Sequence, residues 1–218
     1  MFQRLFSQQP IAAEFSVYNV MQGDYPSDDL TFDAYLVTGS KADSFGTDPW
    51  IQTLKTYLLK RYERGDKLLG VCFGHQLLAL LLGGKSERAT QGWGVGTHKY
   101  KLAAKAPWMS PVREELTLLI SHQDQVTALP ENATVIASSD FCPFAAYHIN
   151  DQVLCFQGHP EFIHDYSRAL LDIRQEALGE QIYSQGMASL EHEHHGTTVA
   201  EWMMRFVAHK PETDSVKP

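Results

Sequence analysis

The stretch KLLGVCFGHQLLALLLGG, residues 67–84, decides the architecture of this chain. Its first six residues form a short apolar run suited to a buried strand, and residues 73–82 are apolar almost all round, as in a buried helix. Gly83 and Gly84 stop that helix. Strand, tight turn and buried helix in immediate succession are the grammar of an α/β fold. At the junction stands Gly70-Val71-Cys72-Phe73-Gly74, the thiol counterpart of the G-x-S-x-G nucleophile elbow. The two glycines permit a sharp turn and leave space on either side of Cys72, so that its sulfur projects above the sheet. At a helix start the sulfur also meets unpaired N–H groups and the positive end of the macrodipole, which favour the attacking thiolate. A small buried cysteine in a glycine-rich turn is the bland alternative, and it leaves the coincidence of both glycines with the strand-to-helix change unexplained.

Outward from this segment, β-rich and helical stretches alternate. Residues 14–21 (EFSVYNVM) and 33–38 (DAYLVT) read as strands. Residues 48–63 read as a helix with Asp48 as N-cap, Pro49 in its first turn and Gly65 closing it. From 91 to 103 the glycine-spaced alternation QGWGVGTHKYKLA predicts antiparallel strands at the sheet edge. Residues 116–122, 134–138, 145–149 and 153–157 are further short strands. Residues 162–178, ended by Gly179, and about 198–209 read as the closing helices, the last opened by a Thr198 and Glu201 capping box. One domain over residues 1–209 and a tail of disordered composition, 210–218, is the expected organisation.

Composition narrows the function classes. With 44% hydrophobic and 20% charged among 218 residues, the chain can bury a core. A net charge of −8 opposes binding to a nucleic-acid backbone or an anionic membrane surface. The longest aliphatic run covers residues 77–82, far short of the ~20 residues a spanning helix needs. The opening MFQRLFSQQP has no apolar signal core, so a cytoplasmic location is expected. Cys72, Cys142 and Cys155 are spaced unlike a metal clip or a disulfide framework, and Cys142 and Cys155 read as core residues. His192, His194 and His195 lie in a polar stretch that reads as a solvated linker rather than a metal site. Trp93, among Gly92, Gly94 and Gly96, could floor a pocket, but tight strand packing explains these residues equally well.

A nucleophilic thiol needs a base and a group to orient it. Gln157-Gly158-His159-Pro160-Glu161 follows the strand 153–157, and in extended backbone residues two apart face one side. His159 and Glu161 can therefore lie together, the carboxylate fixing the imidazole tautomer and leaving one ring nitrogen for the thiol. Alone, the tripeptide is a loop histidine beside a solvated carboxylate; paired with the elbow, it completes a Cys–His–Glu constellation.

On Gly70-Val-Cys-Phe-Gly-His-Gln76 and Gly158-His-Pro-Glu161, the chain resembles the class I glutamine amidotransferases over about residues 14–178. Thr38-Gly39-Ser40 and Phe156-Gln-Gly-His-Pro-Glu-Phe162 make it similar to the free-standing GMP-synthase-like branch, which also includes γ-glutamyl peptidases. The resemblance implies a flavodoxin-like fold: a single-domain, mostly parallel central sheet flanked by helices, with an antiparallel edge extension. It further implies that the family's opening strand is missing here. In site roles it implies Cys72 as nucleophile, His159 as proton shuttle and Glu161 as its orienting partner. It places the oxyanion hole at the N–H groups of Phe73 and of the Gly39-Ser40 turn, and the substrate grip at Gln76, Ser121, His122 and Gln123. Read from the residues alone, Gln76 is a helix-surface amide and the other three are polar strand-end residues.

The expected reaction is hydrolysis of the glutamine side-chain amide through a γ-glutamyl thioester, with no cofactor and no metal. With no G-x-x-x-x-G-K-[ST] loop in the chain, released ammonia would pass to a separate synthetase or acceptor protein. Two alternatives remain: a γ-glutamyl peptide hydrolase with the same triad, and a non-catalytic subunit of the same fold.

Overall fold

The computed structural model describes residues 1–210. The expected tail, 210–218, falls almost wholly outside the described residues. A seven-stranded sheet forms the spine: β1 (Tyr35–Val37), β2 (Leu68–Val71), β4 (Gly94–Leu102), β5 (Glu115–His122), β7 (Ala133–Ser138), β8 (Ala146–Ile149) and β9 (Val153–Phe156), in the order β1-β2-β9-β8-β7-β4-β5. The ladders β1 to β2 and β2 to β9 are parallel, and the other four are antiparallel. A separate antiparallel pair, β3 (Lys85–Arg88) with β6 (Asp124–Ala128), lies outside this sheet and was not anticipated. The helices are α1 (Phe2–Phe6), α2 (Pro49–Glu63), α3 (Phe73–Leu81), α4 (His164–Ser189) and α5 (Gly196–Ala208).

The α/β class and the helical cover on both faces follow from side-chain alternation along the central strands. Leu69, Val71, Leu154 and Phe156 face a cluster that takes in Leu5 and Phe6 of α1 and Trp202, Met203 and Phe206 of α5. Leu68, Val153 and Cys155 face the other way, onto Ile51, Leu54 and Leu58 of α2 and Leu77 and Leu78 of α3. Both sides of β2 and β9 are sealed, which is why they read as continuous apolar runs. Cys142 and Cys155 are core residues, each with its thiol pKa pushed up to about 12 by burial.

Several local expectations need correction. Residues 14–21 are not a strand: β1 is the edge of the sheet and this stretch does not pair with it, so Val17 and Met21 stay 78% and 62% exposed. Residues 91–103 give a single strand, β4, one place inside the edge that β5 occupies. The helix expected to end at Gly179 does break there, at φ +71, and then resumes as far as Ser189. The final helix starts at Gly196, so the capping box does not form. His195 anchors the turn instead, its N–H donating to Thr117 O at 2.7 Å and its Nδ1 accepting from Thr117 N–H at 3.0 Å. Thr198 Oγ1 is taken by Arg113 Nη2. Asp48 precedes α2 as expected but makes no side-chain cap. Among the described residues, no helix is long and apolar enough to cross a membrane.

Candidate active site

Three adjacent parallel strands end at one place. β1 runs into Thr38-Gly39-Ser40, β2 into Cys72 and β9 into the His159 loop, so the site stands at the carboxyl ends of the sheet's parallel part. Cys72 N–H still donates to Phe156 O at 2.9 Å, and the chain then turns at once into α3, giving Cys72 φ 53 and ψ −101. A non-glycine residue held there stores about 1–3 kcal/mol of strain, maintained by the packing around it. The glycines of the motif make that packing possible. A Cβ on Gly70 would stand 2.7 Å from the Gly74 backbone, and one on Gly74 would collide with the Val37 carbonyl, so α3 lies directly on β1 and β2.

His159 is fixed on three sides. Its N–H donates to Leu119 O at 2.8 Å, its ring stacks on Phe162 with centroids 3.8 Å apart and planes 9° from parallel, and Nδ1 meets Glu161 Oε1 at 2.8 Å. Nδ1 is thereby committed, which leaves Nε2 as the ring nitrogen available to Cys72, whose charge is felt by the imidazole. All three side chains are buried. Burial opposes a charged imidazole, but the negative charges of Cys72 and then Glu161, with the hydrogen bonds to both, overcome it and raise the His159 pKa to about 10. Glu161 Oε2 is buried without a hydrogen-bond partner among the described residues.

The residues expected to form the oxyanion hole surround the sulfur. A Cβ on Gly39 would be 3.8 Å from Cys72 Cβ and 2.9 Å from His159 Cε1, so this turn sits directly over the pair. Ser40 and Phe73 line a pocket of about 70 Å³ with Cys72, and Ser40 Oγ accepts from Ala42 N–H, shaping the turn. Gln76, Ser121, His122 and Gln123 line that pocket too. Gln76 is not on the surface: it is 4% exposed, and its amide nitrogen donates to Asp124 O and to Gln157 Oε1. His122 is kept neutral, its pKa pushed down to about 3 by burial and by His98 and His159, with Nδ1 on Asp124 O. His75, inside the motif, is a core residue whose Nε2 bonds Phe144 O.

Sequence reasoning missed Lys41, Asp43, Asp124 and Arg174 as pocket residues and left Trp93 without a role; all five line the pocket. His192, His194 and His195 take no part in it. Among the described residues, no cluster of histidine, cysteine and carboxylate side chains could hold a metal ion. A larger hollow of about 420 Å³, lined by Leu102, Lys105, Arg113 and Glu114, contains none of these groups.

A family model for class I glutamine amidotransferases matches residues 29–172, a span holding the whole constellation. The chain belongs to this family. Its similarity to γ-glutamyl peptidase 3 of Arabidopsis thaliana is 34% identity over 157 residues, 68% of this chain and 63% of that protein. The chain thus spans less than two thirds of the length of that relative. GMP synthase (glutamine-hydrolyzing) of Clostridium novyi is 36% identical over 104 residues, 47% of this chain and 20% of that protein. Among solved structures, a glutamine amidotransferase from Methylobacillus flagellatus superposes with a TM-score of 0.70 at 21% identity, covering 89% and 82% of the two chains. One from Thermotoga maritima gives 0.69 at 16%, covering 88% and 86%. At that distance these two establish the shared fold. By their names, the two curated relatives are hydrolytic enzymes, one a peptidase and the other a glutamine-hydrolyzing synthase.

Proposed function

We propose that this chain cleaves γ-glutamyl amide bonds through a thioester on Cys72, with the side chain of free glutamine as substrate, ammonia as leaving group and the cytosol as location. The observation that carries this reading is the convergence of Cys72, His159 and Glu161 on one buried point, with His159 Nδ1 held at 2.8 Å by Glu161. The Cys72 sulfur attacks the amide carbon, and the negative oxygen that forms is received by the N–H groups of Phe73 and of the Gly39-Ser40 turn. The C–N bond then breaks as His159 gives its proton to the departing nitrogen. The pKa of His159 explains how one imidazole serves both halves. The sulfur is the largest influence raising it, and acylation removes that negative charge. In the thioester the imidazole therefore falls back toward its ordinary range and can take a proton from the attacking water. Gln76 and the 121–123 stretch would hold the amino-acid end.

The geometry of the pair is tight enough to test with one carbon. Gly39→Ala brings a methyl to 2.9 Å from His159 Cε1. The ring must move or tilt, and turnover should fall about 10²-fold, the scale expected for a displacement near 1 Å. The Gly39→Ala melting temperature should fall by a few degrees as well, since the ring it displaces is buried and held by Phe162 and Glu161.

A second reading keeps the thioester and changes the leaving group to an amino acid or peptide. The similarity to γ-glutamyl peptidase 3 favours it. Glutamine and γ-glutamyl dipeptides compared in one assay, with hydroxylamine to trap the acyl group as γ-glutamyl hydroxamate, separate the two. Hydroxamate from both with comparable kcat/KM supports the glutaminase reading; a hundredfold preference for dipeptides selects the peptidase.

A further inference from the structure

One wall of the Cys72 pocket is not accounted for by the triad, the oxyanion turn or the amide grip. Arg174, on α4, reaches it together with Trp93 and Ser121. Its guanidinium lies 5.0 Å from the centre of the Trp93 ring, and Nη1 donates to the Ser121 hydroxyl. None of the described carboxylates forms an ion pair with it. A half-buried guanidinium, stacked on an indole and bonded only to a neutral hydroxyl, is a fixed cation with most of its donors unused. Burial lowers its pKa and the Cys72 charge raises it, so the two groups feel each other across the pocket. Asp43 and Asp124 line the same pocket, with Arg88 Nε 2.6 Å from Asp124 Oδ1 and Arg88 Nη2 3.7 Å from Asp43 Oδ1. The pocket therefore offers charge of both signs beside the nucleophile, which suits a zwitterion.

We propose that Arg174 binds the free α-carboxylate of the γ-glutamyl group, restricting the substrate class to free glutamine and compounds with an N-terminal γ-glutamyl residue. Glutamine within a polypeptide, whose α-carboxyl is an amide, is excluded. The inference rests on the γ-glutamyl reading of the Cys72 site. A planar fork of donors matches a carboxylate two bonds at a time, and Trp93 holds that fork in place before substrate arrives.

The test compares L-glutamine with its α-carboxamide, L-glutaminamide, in the wild type, Arg174→Gln and Arg174→Lys, with melting temperatures followed in parallel. The wild type should prefer glutamine by about 10–10²-fold, the value of hydrogen bonds to a charged group. In Arg174→Gln that preference should shrink to within about threefold through loss of glutamine turnover, and Arg174→Lys should fall between, keeping the charge without the fork. Equal losses on both substrates, or an undiminished preference, would overturn the assignment while leaving the thioester chemistry standing. A wild type that forms hydroxamate from no γ-glutamyl compound would overturn the chemistry, and this assignment with it.

Discussion

Cys72→Ala should lose turnover by about 10⁴-fold or more while the protein remains folded. Nothing else in the pocket can replace the sulfur. Ser40 Oγ is engaged with Ala42 N–H, Ser121 Oγ accepts from Arg174, and neither meets an imidazole. What holds the turn is main chain: Cys72 N–H to Phe156 O at 2.9 Å and Gln76 N–H to Cys72 O at 3.1 Å, with Gly70 and Gly74 packed against their neighbours. Alanine at φ 53 carries the same backbone strain as cysteine, so the elbow is retained and the melting temperature should shift by only a few degrees. Hydroxamate trapping should fail completely in this variant. Undiminished turnover, or hydroxamate still formed, would remove the enzyme reading and leave a non-catalytic member of the family.

The parts of the site legible in the sequence are those written in consecutive residues. Gly70 to Gly74 specify the elbow because a turn, two close approaches and a helix start are all local demands, and each is met in the structure. His159 and Glu161 are two residues apart in extended chain, so their meeting at 2.8 Å needs only the strand period. That Cys72 and His159 meet each other is a statement about β2 lying next to β9, which no local pattern states. The strand expected at residues 14–21 failed for the same reason in reverse: its residues suit a strand, but a strand exists only beside a partner. Arg174 was illegible for want of tertiary information. It reaches the pocket because α4 lies against β4, where a Cβ on Gly96 would collide with the Gly186 carbonyl at 2.6 Å. Gln76 looked like a surface amide because the groups its amide meets, Asp124 O and Gln157 Oε1, come from distant parts of the chain that no local pattern brings to α3.

Glu161→Gln should lower turnover by about 10²–10⁴-fold and move the alkaline limb of the pH–rate profile to lower pH. The substitution keeps the shape of the side chain and an oxygen that can accept from His159 Nδ1, so the loss isolates the charge and the tautomer it enforces. With the carboxylate present, Nδ1 must carry the proton, and Nε2 is aimed at Cys72. An amide can turn its NH₂ to the ring instead, stabilising the tautomer with its proton on the wrong nitrogen. The pH shift follows from the sign of the interaction. Burial lowers the His159 pKa, while Cys72 and Glu161 raise it to about 10. Removing one of the two negative charges brings it down. Release of the leaving nitrogen needs the protonated imidazole, so the limb that reports its deprotonation must follow. A Glu161→Gln enzyme with lowered activity and an unmoved alkaline limb would mean that Glu161 only braces the loop against Phe162, and that the cation on His159 is supported by the sulfur alone.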